Sequence, residues 1–129
     1  MSFKATISIN GEEMNVLECQ FVFTQTTDHN GKPATRPQGG IVAVVVESGG
    51  DTHLFDWMIS NTQTKSGCIT FLRRDALSRL KELHFKDAYC IEYAEHFKAS
   101  GEQPMQIRIK LSARELVLNQ SAYQNPWPL

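Results

Sequence analysis

The sequence has no long apolar run. The longest, residues 41–46, is far short of the ~20 residues that a membrane-spanning helix needs. It has no excess of either charge, with 13 basic and 14 acidic residues and a net charge of -1. This balance carries no electrostatic footprint for nucleic acid or an anionic membrane, so neither is expected as a partner. Cysteine is sparse and odd in number. Cys19, Cys68 and Cys90 are widely spaced, a poor disulfide framework, and read as small buried hydrophobes. The start, Met1-Ser2-Phe3-Lys4-Ala5-Thr6, has no basic segment followed by an apolar one. The expectation is a protein made in the cytoplasm, with any export by a route that needs no cleaved leader.

Local chemical motifs are missing too. There is no CxxC, HExxH or GxSxG, and Gly39-Gly40 and Gly49-Gly50 do not form a phosphate-binding loop. None of His29, His53, His84 and His96 has a second histidine or cysteine at ligand spacing along the chain. His53 and Asp56 lie one helical turn apart, but two groups do not make a zinc site. Glu92 and Glu95 are spaced to fall on opposite faces of a strand, and Glu12-Glu13 reads as solvated. A triad assembled from distant positions leaves no local trace. The reading is no enzyme, no cofactor and no metal.

What is present fits one domain, residues 1–129, long enough to bury a core without staples. Residues 3–9 alternate, with Phe3, Ala5, Ile7 and Ile9 on one face, and Asn10-Gly11 follows as a strong hairpin signal. Residues 12–27 read as a second, antiparallel strand. Residues 28–40, with Asn30-Gly31, Pro33, Pro37 and Gly39-Gly40, read as a long loop, a length usually tied to function or disorder. Residues 41–46 are β-branched enough for a strand buried on both faces. A short helix follows over 51–59, capped by Asp51 or Thr52, with Leu54, Trp57 and Met58 at its core and Phe55 and Ile59 widening the apolar stripe.

A strand around Ile69 and Phe71 comes next, then a turn or helical piece over 75–79. A long strand then runs to Phe97, with Leu83, Phe85, Tyr89, Ile91 and Tyr93 in phase and Asp87 out of step. A final strand alternates Ile107, Ile109, Leu111 and Ala113 with Arg108, Lys110, Ser112 and Arg114. The basic row reads as a solvated face, or else as one meeting an acidic partner. The Pro-flanked tail gains only by docking Trp127 onto the domain or a neighbour. The fold class is mostly β: an antiparallel β-barrel with one flanking α-helix and a long extended loop.

Several segments, taken in order, carry a resemblance. They include Asn15-Val16-Leu17-Glu18-Cys19, Gly31-Lys32-Pro33, Gly39-Gly40-Ile41, Val46-Glu47-Ser48, Leu54-Phe55-Asp56-Trp57-Met58, Ser66-Gly67, Ala88-Tyr89-Cys90, Tyr93 and Pro104-Met105. Together they make the chain similar to the Hcp (TssD) tube proteins of type VI secretion, in the form found in Bacteroidetes. The resemblance implies a structural subunit that forms homohexameric rings. These rings stack into an inner tube that a contractile sheath propels, so the resemblance also implies a subunit that is cytoplasmic before assembly and then secreted or injected without a signal peptide. Sheath, spike and baseplate proteins are the implied partners, and effector proteins are possible lumen cargo. It also implies that the long loop contacts the adjacent ring, through Asn30, Gly31, Lys32, Pro33, Arg36 and Pro37. The alternatives are a phage-tail-tube-like protein of another contractile particle, or a small-ligand-binding β-barrel.

Overall fold

The computed structural model describes residues 4–73, 78–102 and 105–128. Asn10 and Gly11 both take positive φ, 52° and 83°, so the chain reverses tightly between β1 (Lys4–Ile9) and β2 (Glu12–Phe21). β3 (Ile41–Glu47) pairs antiparallel with β2, and helix α1 (His53–Met58) follows. β4 (Lys65–Leu72) pairs with β1. β5 (Arg79–Phe97) and β6 (Met105–Leu118) form a long hairpin, with β4 on the far edge of β5's first half. β3 also pairs with β6, from Ile41↔Ser112 to Glu47↔Gln106. That pairing closes a six-stranded antiparallel barrel among the described residues. A short β7 (Ser121–Gln124) continues the sheet from the end of β6 that β3 leaves free.

The core is the inner face of these strands. Ile7, Val42, Val44, Val46, Ile69, Phe85, Ile109 and Leu111 are fully buried, so the barrel is packed solid rather than hollow. Trp57 extends this core onto the flank. It too is fully buried, and its indole N–H is satisfied by the Gln63 carbonyl at 3.2 Å. Leu54 is buried and Met58 packs against the same cluster.

The sequence reading needs four corrections. The second strand stops at Phe21 rather than 27. Beyond it Val22 and Phe23 are exposed and residues 24–27 are polar, so this stretch leaves the barrel and covers no part of its core. The run 41–46 is not covered on both faces: Val42, Val44 and Val46 point inward, but Ile41 remains 38% exposed on the outside. The helix spans only His53–Met58 and leaves Phe55 and Ile59 exposed. Its Thr52 side chain makes no capping bond, while Asp51 Oδ1 accepts from the His53 amide at 3.2 Å.

The long strand does not keep one phase. Asp87 sits at φ 50° and a register shift follows, after which Ala88 and Cys90 replace the expected Tyr89 and Ile91 on the inner face. Phe85 pairs with Leu116 and Ala88 with Ala113, all four buried, so both strands of the hairpin change phase together. Beyond β6, Asn119 at φ 54° turns the chain back, and the tail begins with β7. Phe3, the turn or helical piece at 75–79 as far as residue 77, and Pro104 lie outside the described residues.

Trp57→Ala should lower unfolding stability by about 3–5 kcal/mol in denaturant titration, the usual cost of removing a fully buried tryptophan. Phe55→Ala, two positions earlier and 45% exposed, should cost far less.

Candidate assembly surfaces

Residues 22–40 form an arm with two hydrogen-bonded legs. Thr24 and Gln38 exchange backbone bonds of 2.9 and 2.7 Å, and Ala34 N donates to Thr26 O at 2.7 Å. Asp28 organises the tip. Its carboxylate accepts from the amides of Asn30 (2.8 Å) and Lys32 (3.1 Å), and its carbonyl accepts from Gly31 N (3.0 Å). Gly31 takes φ 85°, which glycine adopts without strain. Asn30, Gly31, Lys32 and Pro33 therefore sit together at an exposed, ordered tip.

Arg36 and Pro37 are not at that tip. Arg36 Nη2 donates to the Gln124 carbonyl at 2.9 Å, and Pro37 O lies 3.0 Å from the Tyr123 hydroxyl. These contacts fasten the arm's base to β7. The same hydroxyl accepts from Gly39 N (3.1 Å) and lies 3.0 Å from Asn125 Oδ1, so its single proton serves Pro37 or Asn125. Asn125 Nδ2 donates to Gly39 O (3.2 Å) and Ala113 O (2.8 Å). The Phe23 ring stands edge-on to Tyr123 at 4.9 Å, where a Cβ on Gly39 would collide with it. The sequence reading missed Tyr123 and Asn125, because the pairing of the tail with β6 leaves no local pattern.

The opposite end of the barrel is acidic. Glu12, Glu13, Glu47 and Asp51 line a cleft of about 400 Å³ between the β1–β2 turn and the end of β3. β2 and β3 run from this cleft to the arm, so cationic Lys32 and the four carboxylates occupy opposite ends. His53 joins the acidic end, with Nδ1 2.8 Å from Glu12 Oε1. That hydrogen bond, together with the charges of Glu12 and Asp51, raises the His53 pKa above its ordinary value. Elsewhere burial is the main cause of two large shifts. It lifts the Cys19 thiol to about 11, and with the nearby Glu95 carboxylate it lifts the Tyr93 phenol to about 12.

The barrel wall offers two strand edges. β4 pairs with β5 only as far as Ala88, so no described strand lies on that side of residues 89–97, where α1 packs. The outer edge of β7 is likewise unpaired among the described residues. The basic row is matched within the subunit. Arg108 faces Glu18 (3.7 Å), Lys110 faces Glu92 (3.5 Å) and Arg114 faces Asp87 (3.7 Å). Trp127 docks onto its own domain, 5.8 Å from the Tyr89 ring and 5.4 Å from the Arg114 guanidinium. The argument against metal ligands assumed spacing along the chain, and strand pairing removes that premise: Cys68 and His84 are direct cross-strand partners.

A closed, filled barrel with one flanking helix, a projecting arm and open strand edges defines a tube-protein fold rather than a container for a ligand. The sequence profile of the hemolysin-coregulated protein Hcp (TssD) matches residues 1–128, and the chain belongs to this family. Hcp1 from Flavobacterium johnsoniae is 35% identical to it, with a TM-score of 0.90 over 95% of this chain and 100% of that one. Hcp1 from Salmonella typhimurium shares the fold at 15% identity, with a TM-score of 0.73 over 90% of this chain and 85% of that one. A chain of the PVC sheath–tube complex, an extracellular contractile injection system in its extended state, shares it more loosely. Its identity is 18% and its TM-score 0.57, over 92% of this chain and 90% of that one. Comparison with curated protein sequences gives no match.

In a proton NMR titration, His53 should titrate above the ordinary ~6.5 of a free histidine, and Glu12→Gln should bring it back down. Folding favours the protonated imidazole relative to the unfolded chain. Its small stabilising effect is therefore complete below the unfolded-state pKa and is lost as pH rises through the folded one.

Proposed function

We propose that this chain is the structural subunit of a type VI secretion inner tube, forming homohexameric rings that stack head to tail inside a contractile sheath. Family membership over almost the whole chain, with 35% identity to an Hcp1, carries this reading. Catalysis has no part in it. Effector proteins are the candidate cargo of the ring's central opening, and spike and baseplate proteins are the partners at the tube's ends.

The geometry supports each contact. Among the described residues the edge of β5 beyond Ala88 and the outer edge of β7 have no strand partner, and a neighbouring subunit can satisfy them by extending the sheet around the ring. The apolar outer residues Ile41, Ile91 and Phe97, the last 62% exposed, are candidates for the buried parts of that contact. Stacking joins unlike ends, the arrangement that propagates without closing. The arm tip with Lys32 meets the cleft of Glu12, Glu13, Glu47 and Asp51 on the next ring. Asp28 already orders the tip in the free subunit, so docking costs little conformational entropy.

A tube from another contractile particle would use the same fold, and the looser likeness to the PVC chain is a likeness of fold alone. The ligand-binding barrel is disfavoured by the filled interior. A mostly apolar cleft of about 460 Å³ does lie at the arm end between the start of β1 and the end of β2, but it is on the barrel's surface, with Lys4, Glu18 and Lys81 among its lining residues.

Lys32→Glu should leave rings intact and reduce their association into tubes, measured by sedimentation and negative-stain imaging. One exposed ion pair contributes only about 0.2–1 kcal/mol, but the ring repeats it at every subunit. Adding Glu13→Lys to the same chain should restore part of the stacking. Tubes of undiminished length from Lys32→Glu, together with no effect of deleting residues 32–38, would remove the arm from the stacking contact.

A further inference from the structure

We propose that Cys68, Glu82 and His84 form a three-ligand site for a divalent transition-metal ion of the zinc class, with a fourth position open to solvent. The site is independent of ring assembly, since all three ligands come from one subunit.

Strand pairing builds it. Cys68 on β4 stands directly opposite His84 on β5, and Glu82 lies two residues before His84, so all three side chains leave the same face of the sheet. Cys68 Sγ is 3.7 Å from His84 Nε2 and 3.6 Å from Glu82 Oε2, and Nε2 is 3.4 Å from Oε2. With ordinary zinc–ligand bond lengths, a tetrahedral site has sulfur–nitrogen, sulfur–oxygen and nitrogen–oxygen edges of about 3.6, 3.6 and 3.4 Å. The donor atoms thus already stand close to the corners of a coordination tetrahedron without a rotamer change. A thiolate, an imidazole and a carboxylate are also the donor set that zinc-class ions favour over magnesium or calcium.

The surroundings hold the ligands in place. Arg79 Nη1 binds Glu82 Oε1 at 2.6 Å, which leaves Oε2 turned toward the sulfur. The Glu82 backbone is fixed on both sides by Asn119, whose Oδ1 accepts from Glu82 N (2.9 Å) and whose N donates to Glu82 O (2.8 Å). A surface cleft of about 370 Å³ opens beside Cys68 and His84, between Ser66 and Lys86, and gives room for a water on the fourth position. Binding would release the Cys68 thiol proton to solvent, and thiolate plus carboxylate would then balance the dication. Among the described residues, the other cluster of possible ligands, Glu12, Asp51 and His53, is exposed and has no sulfur, so a thiolate signal tells the two apart.

The test is a Co2+ titration of the full chain, reduced and stripped of metal by dialysis against a chelator, followed by ultraviolet–visible absorption. The expected result is a thiolate-to-cobalt charge-transfer band and intense tetrahedral visible bands, saturating at one ion per chain. Zn2+ should displace them. Cys68→Ser should abolish the charge-transfer band, and His84→Ala should weaken binding by at least about tenfold. Cys19→Ser and Cys90→Ser should keep the spectrum. Absence of the charge-transfer band in the unmodified chain would overturn the proposal. So would an unchanged band in Cys68→Ser, and both outcomes are readable without any effect on folding or assembly.

Discussion

The antiparallel pairing of β3 with β6 is the contact on which the rest of the structure depends. Without it the strands would form an open sheet with two long edges and a one-sided core. With it, Val42, Val44 and Val46 face Ile107, Ile109 and Leu111 inside a closed wall, and all six are buried. β6 is longer than β3, and the excess fixes what happens outside the barrel. Residues 115–118 of β6 are free to bind β7, and β7 supplies Tyr123 and Asn125, which clamp the base of the arm through the carbonyls of Pro37, Gly39 and Ala113. The closing contact and the arm's foundation are thus consecutive stretches of one strand.

Closure also decides which surfaces remain for assembly. β5 outruns β4 beyond Ala88, leaving one edge of the hairpin to α1 and to whatever else meets it. The two barrel ends differ because β2 and β3 are joined at one end by a long ordered arm, whereas β1 and β2 are joined at the other by a two-residue turn flanked by carboxylates. A monomer with unlike ends and unpaired sides suits a cyclic, stackable assembly. In the proposed tube these features have complementary uses: edges close the ring, and ends propagate it.

Much of this was legible in the sequence wherever the signal is local. The Asn10-Gly11 hairpin, the alternation through Ile107–Ala113, the helix core of Leu54, Trp57 and Met58, and the antiparallel barrel with one flanking helix follow from turn chemistry and periodicity. Asp87 was visibly out of step, and the structure gives the reason in its left-handed backbone. The consequence, a change of phase that turns Tyr89 and Ile91 outward, depends on the partner strand changing phase too, and no single-strand pattern carries that. The assembly features divide the same way. The tip Asn30-Gly31-Lys32-Pro33 was visible as an unusual loop. The role of Arg36 at the base, the gathering of Glu12, Glu13, Glu47 and Asp51, and the meeting of Cys68, Glu82 and His84 all arise from pairings between distant segments.

The measurement that bears most directly on the central claim is the solution mass of the purified chain by multi-angle light scattering across a range of concentrations. The account predicts a species with the mass of six chains, seen as rings with an open centre when the same sample is imaged. A single chain's mass persisting at the highest concentration would contradict it, since a subunit built with these unpaired edges would then be stable alone.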